Sequence, residues 1–362
     1  MYFGLSEEQT FFQDNVKKFL VDQAPLDVIR QITAEKNTSI QEEIRQGLTN
    51  LGLNALLIPE DYGGLGLDLL FAAAVSEGLG SGVAPIAFTG SYVMAPLAIM
   101  HGGSDVQKEN YLTKISSNTV KFGVGLSEYI GAREDAELII NGNKVNGKAL
   151  FVIDADDASH FILSDDQGTM FIVDADDSGL EVIELTSVDK TRSYVEILLN
   201  NVTAEILDNT VKNNNAIEKT IDAGRIMLAA DSVGAAQVMI DNSVEYAKER
   251  KQFGRVIGSF QAVKHMCAEM TAELEPCYAI VWHAAHCFDY IPEEARLLAC
   301  QSKSHISEVT KMVAKKATEV HGGMGFTDLL GLHYWFKRIG MNRQLLGSPE
   351  LVRDEAGKIQ GF

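Results

Sequence analysis

The stretch from Tyr246 to His265 has the residue types best suited to bind a charged ligand. The whole chain of 362 residues carries 31 Lys and Arg against 50 Asp and Glu, a formal net charge of -19. This stretch reverses the balance, because it contains one acidic residue, Glu249, and five basic ones: Lys248, Arg250, Lys251, Arg255 and Lys264. A local cationic patch in an anionic chain suits a multiply charged anion such as a diphosphate.

Uncharged residues in the same stretch favour an aromatic, phosphorylated ligand over a solvated turn. Phe253 offers an aromatic face between the amides of Gln252 and Gln261. Gly254 and Gly258 let the chain turn tightly and let a ligand approach the backbone. Apolar residues at helical spacing predict two largely buried helices that meet here: Val233, Ala236, Ile240, Val244 and Ala247 before it, and Phe260, Val263, Cys267, Met270, Leu274, Cys277 and Val281 after it.

Two motifs resemble sequences of the acyl-CoA dehydrogenases. The first is RKQFG, Arg250–Gly254, followed by GSFQA, Gly258–Ala262, and it is similar to the segment that helps hold FAD in that family. The second is EVHGGMGF, Glu319–Phe326, which resembles the segment that reaches FAD from the neighbouring subunit. Further matches begin near the N-terminus and continue almost to the end, so the resemblance covers essentially the whole chain.

The resemblance implies FAD as the cofactor and assigns its contacts to nine residues. Ser127 keeps the hydroxyl of the family's Thr-Glu-Pro turn, although Tyr129 replaces the proline, and Phe151 supplies an aromatic wall. Ile153 stands where the family has a hydroxyl near the flavin, and Glu319 stands where it usually has Gln. The implied set is Arg250, Gln252, Phe253, Gln261, Glu319, Gly322, Gly323, Ser127 and Phe151.

The reaction that the resemblance implies is the α,β-dehydrogenation of a CoA thioester. A carboxylate takes the proton next to the carbonyl, and the flavin takes a hydride from the next carbon. In most members the carboxylate is a Glu near the C-terminus, and Leu346 occupies that place here. In a minority it precedes an arginine that matches Arg225, a predicted substrate-binding residue, and Gly224 occupies that place. Neither Leu nor Gly can accept a proton, so no catalytic base is identified.

Two nearby carboxylates are candidate substitutes for the base. Glu350 lies four residues beyond Leu346, and Asp222 lies three residues before Arg225. One helical turn displaces a side chain by about 5 Å, whereas proton transfer needs heavy atoms within about 3 Å of each other. This difference favours the interpretation of both as surface carboxylates.

A chain that keeps the cofactor residues but lacks the base resembles one subunit of the heteromeric acyl-CoA dehydrogenases of bacterial steroid degradation. In such a heterotetramer a homologous, Glu-bearing subunit supplies the base. The partners that this implies are an acyl-CoA substrate and an electron-transfer flavoprotein. Three alternatives stay open: a homo-oligomer with a substitute base, a non-catalytic subunit that completes its partner's FAD site, and a flavin-dependent oxidase or monooxygenase on the same fold.

Hydrophobic periodicity changes twice along the chain and predicts an α+β protein. Helical patterns beginning at a Ser6 cap predict an N-terminal α-helical domain over residues 1–118. Short β-branched-rich runs, including one from Val120 to Glu128, predict a middle β-barrel domain over residues 119–212. Helical patterns then return over residues 213–362. This order is the layout of the acyl-CoA dehydrogenase fold, whose C-terminal helices form a four-helix bundle.

Composition excludes several classes of protein. The net charge of -19 argues against a general nucleic-acid or anionic-membrane binder. No run approaches the ~18 apolar residues of a membrane span, and the N-terminus does not have the pattern of a signal peptide. These features predict a cytoplasmic location. The cysteines match no metal-ligand spacing, so we predict no metal and interpret them as reduced core residues: Cys267, Cys277, Cys287 and Cys300.

Overall fold

The structure is a computed structural model that describes residues 4–35, 38–131, 137–211 and 213–362. Its contacts divide the chain into two compact units. The helical unit draws its described residues from Met1–Asn37, Ala73–Ala84 and Ile226–Phe362, and the barrel unit draws them from Thr38–Ala72 and Pro85–Arg225. The division into three consecutive domains remains a prediction.

Helices, then strands, then helices follow one another along the described chain, which confirms the predicted fold class. The helices are α1 Glu7–Gln23, α2 Leu26–Glu35, α3 Thr38–Asn50, α4 Leu69–Ser81, α5 Ala95–Gly102, α6 Asp105–Ser116, α7 Ser127–Ile130, α8 Asn215–Glu249, α9 Gln261–Tyr290, α10 Pro292–His321, α11 Leu332–Gln344 and α12 Pro349–Ile359. The strands are β1 Phe122–Gly125, β2 Leu138–Asn141, β3 Lys144–Ile153, β4 His160–Ser164, β5 Met170–Asp174, β6 Leu180–Glu184, β7 Tyr194–Ile206, β8 Lys251–Gln252 and β9 Arg255–Val256. None of these helices has both the length and the apolar character needed to cross a membrane.

Helix α1 begins at the cap that the sequence predicts. The Ser6 hydroxyl accepts a hydrogen bond from the Gln9 backbone N–H at 3.1 Å, and the Gln9 side chain accepts one from the Ser6 N–H at 2.8 Å. Glu7 and Glu8 lie in the first turn, where the helix dipole favours negative charge. This reciprocal arrangement satisfies two N–H groups that a helix start otherwise leaves unpaired.

Strands β1 to β7 build the predicted barrel. Pairing runs in the order β3, β1, β4, β5, β7 and returns from β7 to β3, so these five strands form a closed ring. Strand β2 extends the sheet from β3, and β6 extends it from β7. The core of the unit includes these fully buried side chains: Val145, Val152, Leu163, Phe171, Ile197 and Val202.

A buried ion pair fixes α11 against α8 in the helical unit. Arg338 Nη1 lies 3.2 Å from Asp231 Oδ2, and both side chains are fully buried. Arg338 Nη2 also donates to the Ala84 carbonyl at 2.9 Å, and Asn342 Nδ2 donates to Asp231 Oδ1 at 2.6 Å. Since a buried polar network is stable only when its members find partners, this one holds α11 in a single register. It thereby sets where the connection after α11 begins.

Candidate active site

The RKQFG stretch forms a two-stranded hairpin between α8 and α9. Strand β8 pairs with β9 so that Gln252 faces Arg255, and Phe253 and Gly254 form the two-residue turn. Both turn residues have positive φ, 53° and 76°, as the tightest hairpin turns require. Phe253 adopts this conformation against the steric preference of its Cβ, and its ring is 90% exposed at the tip.

Aromatic contacts orient part of this hairpin and leave part of it exposed. The Arg255 guanidinium lies 4.0 Å from the centroid of the Phe260 ring, within cation–π range. The Phe260 ring in turn meets Phe253 edge to face, with centroids 6.1 Å apart. Arg250 and Gln252 remain exposed beside them. The hairpin therefore presents a cation, an amide and an aromatic ring on its surface.

Helix α9 is exposed over its first turns, so the prediction of a largely buried helix is wrong for this part. Gln261, the first residue, is exposed, and its amide lies 2.9 Å from the His265 ring. Cys267 is only half-buried, and the first buried residue is Met270. Apolar spacing shows which face of a helix is apolar but not where along the helix another element covers it.

The second motif ends α10 in an open glycine turn. Gly322 has φ 58° and ψ -140°, a combination that favours glycine. A Cβ built on Gly322 or Gly323 would meet no heavy atom of the described residues within 4 Å. Glu319 is exposed one turn earlier, and the Phe326 side chain is 78% exposed beyond the turn. The backbone here faces open space that a ligand can approach closely.

An aromatic stack joins the two motifs within one chain. The Tyr246 ring stacks on the His321 ring with centroids 4.6 Å apart and planes at 30°. His321 is buried, and its Nδ1 donates to the Ala317 carbonyl at 2.7 Å. Tyr246 lies four residues before Arg250, and His321 lies directly before Gly322. The stack therefore holds the last turn of α8, which precedes the hairpin, against the last turn of α10, which precedes the glycine turn.

Ser127 and Phe151 of the barrel unit are likewise brought together. Strand β1 ends at Gly125, earlier than predicted, because the chain turns into the single-turn helix α7 at Ser127. The Ser127 hydroxyl donates to the Leu150 carbonyl, which leaves its lone pairs able to accept a hydrogen bond. Phe151 follows directly, with φ 52° and its ring partly exposed. Ile153 is buried and offers no polar atom there.

Glu128 is a residue beside this pair that the sequence analysis did not assign to the site. Its Oε2 is buried and has no hydrogen-bond partner among the described residues. Burial raises the pKa of the Glu128 carboxyl, and the negative charges of Asp166, Glu137 and Asp165 raise it further. The signal in the sequence was its position directly after Ser127. A buried carboxyl oxygen without a partner is costly unless a ligand or solvent satisfies it, so Glu128 is a candidate member of the site.

The connection that carries Leu346 is held at both ends. Before it, Lys303 is buried, and its ammonium donates to the carbonyls of Asn342 at 2.5 Å and Arg343 at 2.9 Å. After it, the Ser348 hydroxyl caps α12. Leu346 itself is half-buried with φ 56°. The backbone is fixed on both sides of Leu346, but the Leu346 side chain offers no atom that can accept a proton.

Glu350 lies on the surface, as predicted for a carboxylate without a catalytic role. It is exposed, and its carboxylate pairs with the Arg343 guanidinium at 2.8 Å. Hydrogen bonds from its own backbone N–H and from the Ser348 hydroxyl, together with the Arg343 charge, lower its pKa to about 2. A carboxylate with so low a pKa is a weak proton acceptor near neutral pH.

The second predicted base position also offers no proton acceptor, and its neighbour Asp222 is already paired. Gly224 has no side chain. Asp222 is buried, so the prediction of a surface carboxylate is wrong at this position, and its Oδ1 lies 3.8 Å from Nη1 of the buried Arg225. The pairing compensates both buried charges. Substrate binding by Arg225 stays a prediction.

A cavity of about 520 Å³ lies elsewhere in the helical unit. Its apolar wall includes Leu20, Val21, Leu26 and Ile29, and Trp335 also contributes to it. None of the nine residues predicted to bind FAD lines this cavity, and Leu346 does not line it either. It is therefore distinct from the two motifs and the base positions described above.

Comparison with known proteins assigns the chain to a family. The family model described as acyl-CoA dehydrogenase, N-terminal domain, matches residues 6–119, and the one described as acyl-CoA dehydrogenase, C-terminal domain, matches residues 214–359. A probable acyl-CoA dehydrogenase, YngJ of Bacillus subtilis (strain 168), is 30% identical over 377 residues, covering 98% of each chain. The caffeyl-CoA reductase-Etf complex subunit CarC of Acetobacterium woodii is 29% identical over 355 residues, covering 90% of each. A solved variant of the Tcur3481-Tcur3483 steroid ACAD superposes with a TM-score of 0.87 at 26% identity, covering 98% of each. The chain belongs to the acyl-CoA dehydrogenase family of FAD-dependent oxidoreductases, which act on CH–CH groups.

Proposed function

We propose that this chain is the base-lacking subunit of a heteromeric acyl-CoA dehydrogenase that oxidises a CoA thioester between its α and β carbons. One observation carries the proposal: both family positions for the base are occupied by residues without a proton acceptor, Leu346 and Gly224. The neighbouring carboxylates offer no replacement, because Glu350 is exposed and paired with Arg343 and Asp222 is paired with Arg225. A homologous subunit with Glu at the matching position supplies the base.

The two motifs offer the proposed contacts to the diphosphate end of FAD, with the glycine turn reaching the cofactor that the neighbouring subunit holds. Arg250 and Gln252 offer a guanidinium and an amide to the phosphate oxygens. Open space at Gly322 and Gly323 lets a ligand reach the backbone, and Phe253 presents an uncovered ring. When bound, FAD supplies the acceptor for the hydride removed from the substrate. Gln261 and Glu319 complete the proposed set on this unit.

Ser127 and Phe151 are the proposed flavin contacts of the barrel unit. The Ser127 hydroxyl oxygen keeps lone pairs free to accept a flavin N–H, because its proton is donated to Leu150. The partly exposed Phe151 ring offers an apolar wall that excludes water from the reacting atoms. Ile153 adds no hydroxyl, so this chain orients the flavin with one polar contact fewer than most family members.

The descriptions of two similar proteins support the proposed substrate and electron acceptor. A similar solved structure is described as a steroid ACAD, which supports a bulky, steroid-like acyl group on the CoA thioester. A relative that belongs to a reductase-Etf complex supports an electron-transfer flavoprotein as the electron acceptor. The apolar Leu345 and Leu346 suit a dry environment around the thioester. A cytoplasmic location is part of this proposal.

Coexpression tests the proposal directly. We would purify the chain alone and together with a Glu-bearing homologue, release the flavin, and quantify FAD per protomer and turnover of acyl-CoA thioesters. The expected result is little turnover from the chain alone, and turnover with bound FAD from the copurified pair. Rapid turnover by the chain alone would contradict the proposal.

A second candidate is a subunit that completes its partner's FAD site without binding substrate. The intact first motif beside an empty base position favours it as well. In the copurified pair, Arg250→Ala lowers FAD content under either candidate, whereas Arg225→Lys lowers turnover only if this chain binds substrate. Unchanged turnover in that variant would favour the second candidate.

A further inference from the structure

The turn between α9 and α10 brings three metal-ligating side chains together. His283 and Cys287 are four residues apart on α9, so they share one helix face. Glu294 lies in the first turn of α10. One ligand atom from each, a ring nitrogen, the Sγ and a carboxylate oxygen, all lie within 4.8 Å of one another. This cluster is distinct from the residues assigned to FAD and to the base positions.

The backbone around the cluster is tightly fixed. A single residue, Ile291, separates the two helices. Its N–H donates to the Cys287 carbonyl at 2.9 Å, and its carbonyl accepts from the Glu294 N–H at 3.0 Å. Because these bonds set the helix ends relative to each other, the three side chains converge without a flexible loop between them. A preformed arrangement lowers the entropic cost of binding an ion.

We propose that His283, Cys287 and Glu294 form a binding site for a zinc-class divalent cation. The set combines imidazole, thiolate and carboxylate, which are the ligand types that zinc takes in proteins. Three protein ligands leave a fourth position for water, as in open zinc sites. The Cys287 thiol gives its proton to solvent as the metal–sulfur bond forms.

Burial decreases across the cluster, so an ion can enter from the solvent-exposed side. Cys287 is buried, His283 is half-buried and Glu294 is exposed. With bonds of about 2.0–2.3 Å, ligand atoms in a tetrahedral zinc site lie roughly 3.5 Å apart. Closing the cluster therefore needs a movement on the order of 1 Å, which the exposed Glu294 side chain can make. The sequence analysis missed the site because it considered spacing between cysteines only.

Zinc binding by matched variants tests the site. The full-length chain without a histidine tag would be stripped with a chelator, titrated with Zn²⁺, and analysed for metal per chain after gel filtration. We expect one Zn²⁺ per chain. Glu294→Gln, His283→Gln and Cys287→Ser should each weaken binding by more than the roughly 10–100-fold that loss of an outer-shell partner costs.

Three controls separate the cluster from its surroundings: Glu293→Gln, His286→Gln and Cys300→Ser. Each removes the same kind of group close to or outside the cluster and should leave zinc affinity within a few-fold of the parent. Because Glu294 is exposed, Glu294→Gln keeps the fold, and an unchanged thermal midpoint checks this. No bound Zn²⁺ in the parent, or equal losses in the cluster and control variants, would overturn the proposal.

Discussion

The glycine turn after α10 and the connection after α11 differ in what they present, although buried contacts hold both. The Tyr246–His321 stack anchors the glycine turn, and Lys303 anchors the connection that carries Leu346. The glycine turn leaves its backbone open to a ligand, whereas the connection presents an alkyl side chain at the predicted base position. At the predicted base position, the lack of a proton acceptor therefore comes from one side chain, because the backbone of the connection is held at both ends.

The largest expected effect comes from Leu346→Glu. If the connection keeps a geometry suited to the base, this change should raise acyl-CoA-dependent flavin reduction by about 10²–10⁴-fold, the usual contribution of general base catalysis. Stopped-flow bleaching of the flavin measures it across a panel of acyl-CoA thioesters, in the chain reconstituted with FAD without its Glu-bearing partner. Leu346→Gln is the matched control, because it has the same shape without a basic carboxylate. Equal rates in the two variants would show that the connection no longer places a base.

The next effect concerns the anchor of that connection. Lys303→Met removes the ammonium that donates to the carbonyls of Asn342 and Arg343, and we expect a loss of about 2–3 kcal/mol in the free energy of unfolding. Urea denaturation measures it. Lys311→Met on the same helix is the control: its exposed pair with Glu308 should be worth about 1 kcal/mol or less. Similar losses in both variants would refute the role given to Lys303.

A smaller effect tests the open space at the glycine turn. Gly323→Val places a side chain where the described residues leave room, so the thermal midpoint of the apoprotein should hardly change. FAD affinity should nevertheless fall by about tenfold or more, or roughly 1.4 kcal/mol, because the side chain blocks approach to the backbone. Gly340→Ala, also at an open position, is the control and should keep its FAD. Normal FAD binding by Gly323→Val would place the cofactor elsewhere.

The smallest effect is expected from Glu350→Gln, which should leave turnover unchanged. Because the folded-state pKa of Glu350 is about 2, below its ordinary value of 4.5, its charge stabilises the fold above about pH 4.5. That contribution disappears as the pH falls toward 2. The variant should therefore be slightly less stable than the parent at pH 7 and equally stable near pH 2, as measured by urea midpoints. A loss of turnover would instead identify Glu350 as a substitute base.

Local signals in the sequence predicted much of the fold. The Ser6 cap lies where the capping residue indicated, and short strands follow one another through the middle of the chain where β-branched runs indicated. These features depend on neighbours a few residues apart. The exposed start of α9 could not be predicted, because coverage by another element depends on contacts between residues far apart in the chain.

In the candidate site, too, short motifs could be predicted from the sequence, whereas contacts between distant residues could not. The motifs around Arg250 and Gly322 were visible as short runs of residue types, but the stack of Tyr246 on His321 that joins them was not. Likewise, Lys303 reads as an ordinary helix lysine until the structure brings it under the end of α11. Contacts across 39 or more residues are set by packing, which a single sequence does not display.

The turn of the hairpin has a consequence for engineering this chain. Phe253 holds a left-handed conformation that costs an L-residue about 1–2 kcal/mol. Glycine or asparagine would relieve that cost, so a search for thermostable variants would choose them there first. Such a search would also delete the exposed ring that the proposed cofactor site uses. Stability and function therefore favour different residues at this position, and stabilising libraries should leave it unchanged.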